Sequence, residues 1–163
     1  MSPWTLNLEG LRHHEYWRLW TAHLYHYGWG HMLLNTVAML LPLYLLPRRL
    51  MRWTPIWIFL AMPLIALSLL QVPSLDYQGA SALAAATWGL AGAILMRLHR
   101  KEDRIWGTVL IALLVAKISS EMYGIPLPEP GMHWRSLPLA HQVGAFLGLL
   151  SGLLWPIKRT LRV

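Results

Sequence analysis

The chain has no cysteine, so disulfides, thiolate nucleophiles and cysteine-bound metals are all excluded. Acidic residues are scarce, seven in 163, against fourteen Lys and Arg. No cleavable leader pattern is visible, because the first thirty residues are too polar for a signal h-region. There is no tandem repeat and no low-complexity stretch. What the chain has instead is apolar length. It is 56% hydrophobic, with ten Trp. A window of roughly 17–25 apolar residues is long enough to cross a bilayer. Five such windows stand out, at 31–47, 55–72, 80–96, 105–120 and 138–157. Alternating ten-residue segments, the mark of a membrane β-barrel, are missing. The expected fold class is therefore all-α, a polytopic helical bundle in one domain spanning 1–163, since helices satisfy their own backbone in lipid.

The net charge of +7 could suggest nucleic acid, but its placement argues otherwise. Arg48, Arg49 and Arg52 follow the first span; Arg97, Arg100, Lys101 and Arg104 separate the third and fourth; Lys158, Arg159 and Arg162 follow the fifth. This is the positive-inside distribution. It expects those segments and the carboxy terminus in the cytoplasm, with anionic lipid headgroups as their partners and no nucleic acid. The amino terminus, the Ser81 loop and the 121–137 loop then lie outside. The first span serves as its own insertion signal. Residues 1–30, rich in Trp, Tyr and His, suit an interfacial outer segment. The stretch YGIPLPEPGMHW, residues 123–134, reads as an outer loop and a candidate mobile cap.

Spans one, three and five run in the same direction, so their amino-terminal ends share one depth. Those ends carry His26, His31 and Asn35, then Ser81, then His141. Polar groups at membrane depth are costly and usually face a partner or a water-filled cavity. Behind Ser81 follow Ala85, Gly89, Gly92 and Ala93, and behind His141 follow Gly144, Gly148 and Gly152. Such small stripes let helix backbones approach closely in lipid. Packed together, they bring Ser81 Oγ toward His141. A serine hydroxyl needs a neighbouring base to become a nucleophile, and His141 is the expected base and later acid. No acidic residue is expected in the membrane near either group, which leaves a Ser-His dyad. His31 and Asn35, four apart on one helix face, are candidate oxyanion donors together with the Ser81 backbone N–H.

The stretch EYWRLWTAHLYHYGWGHMLLN resembles the start of the rhomboid intramembrane serine proteases. Trp17-Arg18 matches their first outer loop, and His26-x4-His31-x3-Asn35 their second helix. Gly79-Ala80-Ser81 matches the G-x-S of their nucleophile helix, and His141-x2-Gly144-x3-Gly148 their last core helix. The order and spacing agree over residues 15–157. The short length, YQGAS and KISSEMYG look most like the rhombosortase branch.

The resemblance implies a serine endopeptidase with Ser81 as nucleophile and His141 as general base. It makes His31 and Asn35 oxyanion donors and His26, Gly79, Trp17 and Arg18 supporting residues. Its substrates would be membrane proteins with transmembrane or GlyGly-containing C-terminal sorting segments, cut near the outer face of a bacterial inner membrane. It implies no metal and no organic cofactor.

Two departures stand against it. Gly usually follows the nucleophile where this chain has Ala82, at a point expected to give room to substrate. The usual six-helix core also has a helix before Trp17-Arg18, and five runs are visible here. They keep open an alternative, a catalytically inactive rhomboid-like protein that binds membrane clients. A metal or haem site on His13, His14, His23 and His26 is a further rival, against the plainer reading of headgroup contacts. Lys117 and Glu121, four apart, read as a helix-surface ion pair or as a substrate-recognition element.

Overall fold

A computed structural model describes residues 2–73, 75–124 and 137–157. Within them, eight α-helices follow in order. Two short ones, α1 (Leu8–Arg12) and α2 (Arg18–Leu24), precede the first long helix α3 (Trp29–Tyr44). A single turn α4 (Arg48–Met51) leads to α5 (Thr54–Ser68), which runs on as a 3-10 turn over Leu69–Gln71. The last three are α6 (Ser81–Met96), α7 (Lys101–Met122) and α8 (Pro138–Leu154).

The five long helices coincide with the five apolar runs, with shifted ends. The first run stops at Tyr44 rather than at Pro47, and Pro42 lies inside α3. The basic segment between the third and fourth runs is shorter than expected, because Lys101–Arg104 already belong to the first turn of α7. There Glu102 and Asp103 favour the positive end of the helix. By length and composition, Thr54–Gln71 and Lys101–Met122 are long and apolar enough to cross a membrane; Ser81–Met96 and Pro138–Leu154 are shorter apolar helices. The Pro-rich loop expected as a cap lies, over 125–136, outside the described residues, as do Lys158, Arg159 and Arg162.

Helix α6 is the axis of the bundle. Ala82 to Thr87 and Gly89 to Ile94 are buried, so it is covered all round. It packs on α3, α7 and α8. The surrounding helices point Leu33, Leu40, Phe59, Leu64, Trp106, Leu113, Phe146 and Leu153 outward. Apolar patches of this extent belong against lipid or protein, not water. An apolar centre with an apolar rim is the arrangement of an integral membrane protein.

The all-α expectation needs one small correction. Leu6–Asn7 (β1) pairs antiparallel with Asp76–Tyr77 (β2), in register Leu6↔Tyr77 and Asn7↔Asp76. This short ladder ties the amino-terminal segment to the chain entering α6. Arg18, expected as a supporting residue, holds the amino-terminal segment together: it is buried and donates to the Ser2 and Thr5 carbonyls at 3.0 and 2.7 Å. It also pairs with Glu15. Burial demands partners for a guanidinium, and the local carbonyls and Glu15 supply them. Its neighbour Trp17 is about half exposed.

Candidate active site

The turn before α6 is built to deliver Ser81. Gly79 has φ +106°, in the region that glycine tolerates without strain. A Cβ there would also lie 2.9 Å from His31 Cε1. The Gly79 N–H donates to the Ala22 carbonyl at 2.7 Å, and the Ala80 N–H donates to His26 Nε2 at 3.2 Å. His26 in turn donates from Nδ1 to the Leu24 carbonyl at 2.9 Å, which fixes its tautomer. Burial lowers its proton affinity below the ordinary histidine range. The Tyr77 hydroxyl donates to the Gly79 carbonyl at 2.9 Å and lies 3.1 Å from His23 Nδ1, while His23 Nε2 lies 2.9 Å from the Met62 carbonyl. Thus His23 and His26 hold backbone and a tyrosine. Among the described residues no group of three or more His, Asp or Glu side chains gathers as a metal set.

Ser81 is the first residue of α6, and the cap position falls to Ala80. Ser81 is thus not the cap, which removes the plainest structural use for a serine at a helix start. The amides at the helix start lack intrahelical acceptors. Those of Gly79 and Ala80 are already committed, so Ser81 N–H is the next donor in line.

Ser81, His31, Asn35 and His141 line one cavity of about 400 Å³. Its walls are α3 (Leu34, Ala38), α6 (Ala84, Ala85, Trp88), α7 (Leu113, Leu114, Lys117) and the start of α8 (Leu137, Ala140). The structure therefore brings together four of the five polar residues expected at one depth; His26 does not line the cavity and instead accepts from the Ala80 N–H behind it. Asn35 is buried, and among the described residues its Nδ2 has no hydrogen-bond partner. A buried amide N–H₂ without an acceptor is costly, and such exceptions concentrate at working sites. His26 and His31 stack edge to face at 5.1 Å. Among the described contacts no hydrogen bond joins Ser81 to His141.

The small-residue stripes seat the two helices. A methyl on Gly144 would overlap the Ala82 carbonyl, and one on Gly148 the Ala86 carbonyl; at Gly152 it would lie 2.6 Å from the Leu90 carbonyl. The stripe on α6 is divided, however. Gly89 meets Ala145 and Leu149 of α8, whereas Gly92 meets Ile111 of α7. Ala82 packs away from the cavity. It is fully buried in the α6/α8 seam and is not part of the cavity wall, so its methyl takes no room there.

The expectation that no acid lies near the base is overturned. Glu121, at the end of α7, places Oε1 and Oε2 each 2.8 Å from His141 Nδ1. Lys117 Nζ donates to the same carboxylate at 2.7 Å. The i,i+4 pair read from the sequence exists, and it has a third member. The four-residue spacing revealed the pair; the cross-helix partner lies twenty positions on, beyond the Pro-rich loop, where spacing carries no signal.

The family model described as Rhomboid domain matches residues 13–157 of the chain. No curated protein and no solved structure gave a match.

Proposed function

The chain belongs to the rhomboid family, and on that footing we propose that it is an intramembrane serine endopeptidase, with Ser81 as nucleophile and His141 as general base. The observation that carries this reading is the shared cavity. A hydroxyl that does not occupy the cap position, an imidazole, and a buried amide donor without a partner among the described residues all line it. With Nδ1 donating to Glu121, His141 keeps its lone pair on Nε2. That nitrogen takes the Ser81 proton as Oγ attacks a substrate carbonyl. Catalytic hydrogen bonds are often absent in empty sites and close with substrate. Asn35 Nδ2, the Ser81 N–H and His31 then surround the developing oxyanion. As the acyl-enzyme forms, Nε2–H passes its proton to the departing amine, and water resolves the ester by the reverse use of the same groups.

Substrate reaches the cavity between α3 and α7, whose residues form its two flanking walls. A transmembrane or carboxy-terminal sorting segment must unwind there, because an intact helix hides its carbonyls. We assign the five long helices as membrane spans, the cavity to the outer side of a bacterial inner membrane, and the carboxy terminus to the cytoplasm, following the basic clusters. GlyGly-containing carboxy-terminal signals, in the manner of rhombosortases, are the proposed substrate class, since glycine pairs unwind at little cost.

The experiment is labelling of the purified protein with a fluorophosphonate. Wild type should label and Ser81→Ala should not. Folded wild-type protein that fails to label would favour the inactive, client-binding alternative.

A further inference from the structure

A carboxylate is costly to bury unless paired. The Glu121 side chain is 7% exposed, and Lys117 on its own helix already compensates it. The contact across to α8 is therefore more than charge balance requires. A buried imidazole can be satisfied by a backbone carbonyl, as His23 is by Met62. His141, with a side chain 4% exposed, instead receives both oxygens of a carboxylate. Tyr27, His31, Asp76, Tyr77 and Lys117 are the other titratable side chains lining the cavity. Among the described residues, Glu121 is the carboxylate bonded to His141.

The geometry points to Glu121 as a positioning residue for His141, which makes the reacting unit a Ser81–His141–Glu121 relay rather than a dyad. This rests on the reading of Ser81 and His141 above. Glu121 acts through His141 and touches no reacting atom. It holds Nδ1 protonated, which commits the lone pair to Nε2, and it restrains the ring. When Nε2 accepts the Ser81 proton, the carboxylate faces the new imidazolium. The Nδ1 proton stays on the ring. Lys117 moderates the effect by drawing on the same carboxylate oxygen.

The test is the rate of fluorophosphonate labelling against pH, with thermal unfolding in the same detergent as control. Glu121→Gln keeps an acceptor for Nδ1–H but removes the charge. Its labelling should fall by about 10–100-fold, the size of loss seen when the carboxylate that orients a metal-bound histidine is removed, and the acid limb of its profile should move to lower pH. Lys117→Met leaves the Glu121–His141 contact intact and should move the acid limb the other way. This second variant decides the matter if the first fails to fold. A Glu121→Gln protein that labels at the wild-type rate with an unmoved profile overturns the inference alone, as does Lys117→Met without a shift. Folded wild type that never labels overturns the hydrolase reading and takes this inference with it.

Discussion

The two sides of α6 are built on opposite terms. Toward α8 the backbones almost touch: Gly144, Gly148 and Gly152 leave no space for a methyl group. Toward α3 and α7 the upper half of α6 faces a cavity of about 400 Å³, and Trp88 reaches across to donate to the Ala38 carbonyl at 2.8 Å. A glycine seam gives dispersion contacts and a fixed separation, with no side-chain freedom to lose. A cavity forfeits those contacts and is tolerated where something must enter. The difference teaches how the site divides its labour. Ser81 and His141 sit at the amino-terminal ends of the rigid pair, and the cavity proposed to take substrate lies on the loose side. Arg97 strengthens the seam at its other end, donating to the Gly152 and Trp155 carbonyls at 2.7 and 3.0 Å, where a cation suits a helix carboxy terminus.

The largest effect should come from wedging the seam open. Gly148→Leu forces a side chain onto the Ala86 carbonyl, which is backbone and cannot rotate away. Overpacking typically costs about 1–3 kcal/mol, and a backbone clash belongs at or above the top of that range. Thermal unfolding in detergent should drop sharply, and any folded fraction should lose fluorophosphonate labelling because Ser81 and His141 no longer keep their spacing. Leu113→Ala, on the loose side and half exposed, is the matched control. It should stay within about 0.5 kcal/mol of wild type. Similar losses from both would erase the distinction between the two faces.

Next in size is Asn35→Ala. Among the described residues its Nδ2 has no partner to lose, so the substitution should cost little stability. If the amide serves the oxyanion, the labelling rate should fall by about 10²–10³. A rate that falls only as far as the unfolding temperature does would return Asn35 to the role of helix packing.

Much of this arrangement was readable beforehand, and the reasons differ by residue. The five long helices announce themselves because apolar runs must be long to be buried in lipid. Ser81, His141, His31 and Asn35 stand out because polar groups are anomalous at that depth. The glycine stripe on α8 follows from a four-residue period alone. What escaped were contacts between distant segments. The β1–β2 ladder is two residues long, too short for any alternation to register. The Ser2 and Thr5 carbonyls that enclose Arg18 lie thirteen or more positions before it, at no spacing that signals a contact. Glu121 is accounted for in the sequence by Lys117 four residues before it, and its partner His141 is reached only through the fold. Ala82 looked like an obstruction because its side of the helix could not be read from sequence.

The smallest effect concerns the turn that joins the two faces. His23 is fully buried between the Met62 carbonyl and the Tyr77 hydroxyl, beneath Gly79. Burial pulls its pKa down to about 4, only partly offset by the hydrogen bond to the Met62 carbonyl. The unfolded chain takes up a proton at the ordinary value of 6.5, while the folded protein refuses it until about 4. Between those values the unfolded state holds more protons, so stability must fall as the pH drops through that window. Above 6.5 the term is fully present. In His23→Gln, whose amide can still donate to Met62, this part of the pH dependence should vanish, at the cost of a small uniform loss of stability. Unfolding temperatures measured from pH 7.5 to pH 4 for both proteins decide it. Parallel curves would mean that the turn carrying Ser81 is held by packing alone and that its polar network contributes nothing that titrates.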